Sequence, residues 1–184
     1  SFSVLILVAT GIGAAAGLVT VAIALVAHNL QHWFYGVGIN RLSALASIQH
    51  PAKLLFLPLG GALLGGVYWV SRKRSAPIDV VEANALHGGR IPEADTMWVC
   101  LQTIISNGFG ASVGLEAAYA QAGGGIASIV GRWLRLRRMD MRRLVGAGAG
   151  AAIGAAFAAP LTGAFYGFEV VIGAYTPAAI APVS

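Results

Sequence analysis

Charge is what this sequence has least of. Of 184 residues only 10% are charged, twelve of them Lys or Arg and seven Asp or Glu. A soluble domain carries roughly 25% charged residues, because its surface must face water. So few charges cannot coat a water-facing globule of this size. Cysteine is nearly absent too: Cys100 stands alone, which excludes an internal disulfide framework and a cysteine-based zinc site. Glycine is abundant at 25 residues but follows no collagen period, and aromatics stay at 9%. What the chain does have is apolar character, with 57% hydrophobic residues and a mean hydropathy of +0.75. These quantities predict an integral, multi-pass membrane protein, in which a net charge of +5 bears on topology and not on nucleic acid.

Residues 1–40 contain no Asp, Glu, Lys or Arg, and 2–27 form an apolar run broken only by Ser3 and threonines. A hydrocarbon layer about 30 Å thick takes around 20 helical residues, so this run predicts a first span. It lacks the basic start and short core of a cleavable signal peptide. A second span is predicted over 53–70, after Pro51, and leads into the basic cluster Ser71-Arg72-Lys73-Arg74, which marks a cytoplasmic side. Residues 77–90, with Asp79 and Glu82 near the front, predict a short polar helix whose acids suit the positive end of the macrodipole. Residues 97–105 are apolar over about half a span. Residues 108–131 are rich in small side chains and carry one charge, Glu116. Residues 132–143 hold six arginines against Asp140 and predict a second cytoplasmic loop. Apolar segments over 144–157 and 161–180 flank Ala158-Ala159-Pro160.

Several of these segments are shorter than a bilayer or broken by Gly and Pro. That pattern predicts helices ending inside the membrane, where buried protein or a water-filled cavity satisfies the freed backbone groups. Gly146, Gly148, Gly150 and Gly154 predict helix backbones in close approach.

Glu116 is the leading candidate for function. A carboxylate in an otherwise uncharged membrane segment costs a few kcal/mol and is functional by default. The residues before it, from Gly108-Phe109-Gly110 to Gly114-Leu115, resist helix formation, whereas Ala117 onward favours it. Glu116 therefore falls in the first turn of a helix starting within the bilayer. Free N–H groups and the positive helix end there attract an anion. The glutamate is a tethered anion able to occupy the same place, and protonation would release it. The alternative is a glutamate that only caps the helix.

At these residues the chain resembles the CLC family of chloride channels and chloride/proton antiporters. The family's gating motif, Gly-Lys/Arg-Glu-Gly-Pro followed by Gln and a Gly pair, is matched by Gly114-Leu115-Glu116-Ala117-Ala118, Gln121, Gly123 and Gly124. Its Phe-Asn-Ala-Pro-Leu-Ala-Gly motif, with Glu six residues later, is matched by Phe157-Ala158-Ala159-Pro160-Leu161-Thr162-Gly163 and Glu169. The resemblance implies an all-α transmembrane bundle with broken helices, one half of an inverted-repeat fold. It would make residues 1–184 a single N-terminal, truncated transmembrane half. It implies a gate at Glu116, an outer anion site at the amides of Gly114, Leu115, Glu116, Ala117 and Ala118, and an inner contact from Ser75. Gln121 and Glu169 would support that site. The chain departs from the family at Leu115, at Ala117-Ala118 and in the serine loop, where Ser75 alone is kept. Antiporters of the family carry a second acid after the Glu169 position; here Val170, as in channel-type members, implies conduction over coupled exchange. Chloride as the ligand with no cofactor, a homodimer, and a bacterial plasma (inner) membrane complete the expectation. A non-conducting membrane scaffold or sensor and a coupled antiporter are the alternatives.

Rival motifs are weaker. Gly110-Ala111-Ser112-Val113-Gly114 fits a nucleophile elbow, but that turn needs a strand before it and a histidine after it. All four histidines, 28, 32, 50 and 87, precede Ser112. His28 and His32 have helical metal-ligand spacing without a third ligand nearby, and sit beside Trp33, Phe34 and Tyr35, which suit an interfacial belt. Gly123-Gly124-Gly125 lacks the Lys of a phosphate loop. The reading is six to eight full and partial helices, and not an enzyme.

Overall fold

The computed structural model of the chain describes residues 2–36, 51–71 and 75–173. Apolar, glycine-rich sequence with few turn signals folds here into helices alone: among the described residues there is no strand. The order is α1 Phe2–Tyr35, a 3-10 turn Pro51–Leu55, α2 Phe56–Ser71, α3 Val80–Leu86, α4 Glu93–Gly108, α5 Glu116–Trp133, α6 Arg138–Phe157 and α7 Pro160–Tyr166. A π-helical segment, Gly167–Ile172, continues α7.

α1 has 34 residues and is about 51 Å long. Its buried stripe, Ala9, Ile12, Ala16, Thr20, Ile23 and Ala27, recurs every three or four residues and packs on α5 and α6. The opposite side exposes Leu7, Leu18, Val21, Leu25 and Val26. α2 is almost wholly exposed and apolar. Large aliphatic residues thus cover the outer face of both helices, while the buried stripe of α1 mixes small residues with Ile12, Ile23 and Thr20, an arrangement that suits a lipid surround. The stretches Ile6–Tyr35 and Lys53–Val70 are long and apolar enough to cross a bilayer.

The core is the α5–α6 pair. A Cβ on Gly123 would run into the Gly148 carbonyl, and one on Gly148 into the Gly123 carbonyl, so the two backbones touch. Gly150 and Gly163 bring α6 and α7 together in the same way. Thr20 crosses from α1 to donate to the Ala152 carbonyl at 3.3 Å, and Asn84 crosses from α3 to the Val171 carbonyl at 2.7 Å.

Four expectations need correction. The first span runs on to Tyr35, because His28, Asn29, Gln31 and His32 continue a helix the bilayer need not fully cover. The apolar stretch 97–105 is the middle of a 16-residue helix that starts at Glu93. The arginine run is mostly not a loop: Arg132 ends α5 and Arg138, Arg142 and Arg143 lie in α6, leaving only 134–137 between helices. The described part of the segment over 161–180 is α7 from Pro160, widening to π geometry up to Ile172, with Gly173 in a left-handed conformation (φ 69°) as the cap of that π turn. Residues 174–180 of that stretch, Arg72, Lys73, Arg74 and His50 lie outside the described residues.

Candidate functional site at the start of α5

α5 starts at Glu116. Its N-cap is Leu115, which offers no side-chain oxygen and makes no capping bond. The first amide of the helix to find a carbonyl is that of Tyr119, on Leu115 O at 3.0 Å. The N–H groups of Glu116, Ala117 and Ala118 come before it, at the positive end of an 18-residue helix. Leu115 is buried and anchors the turn in the core; Glu116 and Ala117 are exposed on this chain, and Ala118 is fully buried. The Glu116 carboxylate folds back over Gly114: its Oε1 lies 2.8 Å from where a Gly114 Cβ would sit, and Oε2 occupies that place. The absent side chain at Gly114 makes this fold-back possible.

The turn that presents Glu116 is braced from three sides. Tyr35, at the end of α1, donates its hydroxyl to the Phe109 carbonyl at 2.6 Å. Asn107, at the end of α4, donates Nδ2 to the Val113 carbonyl at 2.8 Å. Gln31 of α1 in turn donates Nε2 to both the carbonyl and Oδ1 of Asn107, each at 2.9 Å. Phe34 stacks on Phe109 with ring centroids 4.7 Å apart and also meets Phe56 at 5.0 Å. Sequence reasoning missed Gln31, Tyr35 and Asn107. The available signal was polar side chains at the ends of otherwise apolar helices.

Gln121 is buried on α5, and its Nε2 donates to the Ile78 carbonyl at 3.1 Å. Ile78 N–H donates to Asp95 Oδ2 at 3.1 Å, and Asp79 caps α3 by accepting from Glu82 N–H at 2.7 Å. The segment that starts at Ser75 is thus tied to α5 about 7.5 Å along the helix axis from Glu116. Ser75 itself is exposed, and among the described residues no hydrogen bond joins it to Glu116. Glu169 and Val170 are exposed on the π segment. No group of three His, Cys, Asp or Glu side chains suited to a metal gathers among the described residues. Ser112 lies in a bend after a helix and not after a strand.

An uncapped helix start in an apolar chain, holding a lone carboxylate, matches the family resemblance, and comparison with known proteins decides the point. The family model described as voltage gated chloride channel matches residues 60–184. The chain belongs to the voltage-gated chloride channel family. It is 32% identical over 181 residues to a chloride channel protein of Ralstonia nicotianae described as ClcB-like, covering 94% of this chain and 42% of the relative. It is 34% identical over 127 residues to a chloride/fluoride channel protein of Pseudomonas syringae pv. tomato, covering 66% of this chain and 27% of the relative. A voltage-gated ClC-type chloride channel ClcB of Yersinia pseudotuberculosis is 28% identical over 147 residues, 77% of this chain and 35% of its own length. The chain therefore spans less than half the length of the curated relatives it matches. No solved structure matches. Membership in this family makes the helical bundle a partial chloride-channel fold in an integral membrane protein.

Proposed function

We propose that the chain forms part of a channel-like pore for chloride and similar monovalent anions, gated by protonation and displacement of Glu116. The observation that carries this reading is the uncapped start of α5, with the Glu116 carboxylate turned back over Gly114 beside it. Amides from Gly114 to Ala118 and the positive helix end favour an anion. An ionised Glu116 takes that place itself, as a tethered competitor. Once protonated, the side chain has no charge to hold it there, so it swings away and a free anion enters.

Ser75 contacts the anion from the inner side, held in register by the Gln121–Ile78 bond of the same segment. Glu169 acts as a structural acid. Val170, where antiporters of the family carry an acid, supports conduction over coupled exchange. The bacterial relatives support a plasma-membrane location, and the Pseudomonas relative, a chloride/fluoride channel protein by name, extends the anion set to fluoride. The working assembly is a homodimer of longer subunits, each completing its own pore.

The test is chloride flux from proteoliposomes containing the full-length protein, across pH. Flux that rises on acidification, and that Glu116→Gln raises at neutral pH, supports the reading. Flux unaffected by Glu116→Gln overturns the gate. Absence of flux at every pH assigns the chain to a non-conducting membrane scaffold, the reading that Ala117-Ala118 in place of Gly-Pro favours.

A further inference from the structure

The arginine-bearing end of the bundle has an uncompensated charge, separate from the start of α5. Of the six arginines over 132–143, three find partners within the chain. Arg132 pairs with Glu93 at 2.8 Å, Arg143 with Asp140 at 3.3 Å, and Arg142 donates to the Ile172 carbonyl at 3.2 Å. Arg135, Arg137 and Arg138 are exposed, and no carboxylate among the described residues pairs with them. Four further acids act elsewhere: Asp79 caps α3, Asp95 accepts from Ile78, Glu82 faces His87 at 4.0 Å, and Glu116 lies at the other end of α5.

The backbone holds these arginines in place. α5 ends with Arg135 N–H on the Arg132 carbonyl and Leu136 N–H on the Gly131 carbonyl, both at 3.0 Å, the paired bonds of a Schellman turn. That turn needs a left-handed residue, which is usually glycine, yet Arg135 fills it at φ 50°. The Arg138 stem lies across Gly88, its Cγ 2.9 Å from where a Cβ would sit, and exposed Arg90 follows two residues later in the same turn. Beside this cluster Trp133 is 83% exposed, with Leu134 and Met139 also outward. Apolar and cationic side chains are interleaved at the tip of a membrane bundle. That combination fits a surface apolar on one side and anionic on the other.

We propose that Arg135, Arg137 and Arg138, with Trp133 beside them, form a binding surface for the headgroups of anionic phospholipids. The guanidinium groups engage the lipid phosphate by charge-assisted hydrogen bonds, and Trp133 sits at the level where acyl chains meet headgroups.

The test is lipid retention by the purified full-length protein in neutral detergent, read by native mass spectrometry during titration with phosphatidylglycerol, phosphatidylcholine or inorganic phosphate. Wild type should retain phosphatidylglycerol over phosphatidylcholine. The triple variant Arg135→Gln, Arg137→Gln, Arg138→Gln should lose this by about fivefold per arginine, about a hundredfold in all. The triple Arg→Lys variant should keep it within about threefold, since attraction to an anionic headgroup layer counts each Lys or Arg charge alike. In 1 M salt, where screening acts over about 3 Å, wild-type retention should fall at least about tenfold; this arm needs no variant to fold. Retention unchanged in the Gln variant or in high salt, or inorganic phosphate displacing the lipid at equal concentration, overturns the proposal.

Discussion

Asn107 Nδ2 donates to the Val113 carbonyl at 2.8 Å, so the last turn of α4 holds the backbone three residues before Glu116. Gln31 locks the same asparagine from α1 with two bonds of 2.9 Å. The position of Glu116 thus depends on two uncharged side chains, Gln31 of α1 and Asn107 of α4. Asn107→Ala should cost about 1 kcal/mol of stability. It should also raise amide hydrogen exchange over 109–115 about fivefold, while α6 stays protected. Equal exchange in the variant would mean the turn is held by its own backbone bonds.

Gly123→Ala and Gly148→Ala should each destabilise the bundle by about 1–3 kcal/mol, since the new methyl meets backbone that cannot rotate aside. Gly61, with nothing within 4 Å of its Cβ position, is the control, and Gly61→Ala should be neutral or slightly stabilising. Thermal unfolding in detergent separates the two classes. Equal melting of all three variants would contradict the backbone contact.

Ala158 ends α6 in a left-handed conformation, φ 50° and ψ 35°, where a Cβ is unfavourable. Ala158→Gly should therefore stabilise by up to about 1 kcal/mol, visible as a rise in melting temperature. A fall would mean the Ala158 methyl makes packing contacts that outweigh the backbone strain.

Gln121→Leu keeps the volume but removes the donor from the Ile78 carbonyl. A loss of about 1–3 kcal/mol is expected if that carbonyl stays buried without a partner. Faster exchange at 75–79 would follow, and anion flux should weaken with the Ser75 segment released. Unchanged exchange there would show that Asp95 alone holds the segment.

Proton coupling follows from Val170. A chloride gradient imposed across proteoliposomes of the full-length protein should drive little proton movement, read with a pH dye. Stoichiometric proton uptake would reverse the channel-like assignment and restore the antiporter.

Local chemistry made much of this protein legible. The scarcity of charge put it in the membrane, and the break between glycine-rich and alanine-rich sequence located the start of α5 at Glu116. Asp79 announced the short helix it caps. Where the sequence misled, it did so through averaging. Six arginines in twelve residues suggested one loop, yet Arg132, Arg138, Arg142 and Arg143 are helical, because arginine is a good helix former and its charge says nothing of backbone conformation.

What the sequence determined alone is set by interactions between neighbours along the chain: hydropathy, helix breaking, capping, and a lone acid at a helix start. What only the tertiary structure decided is which distant groups meet. Gln31 and Asn107 are 76 positions apart, and Gln121 and Ile78 are 43 apart. No local pattern encodes such pairings. They arise because glycine-lined helices pack backbone to backbone, and a polar group enclosed by that packing must find whatever partner the topology brings within reach.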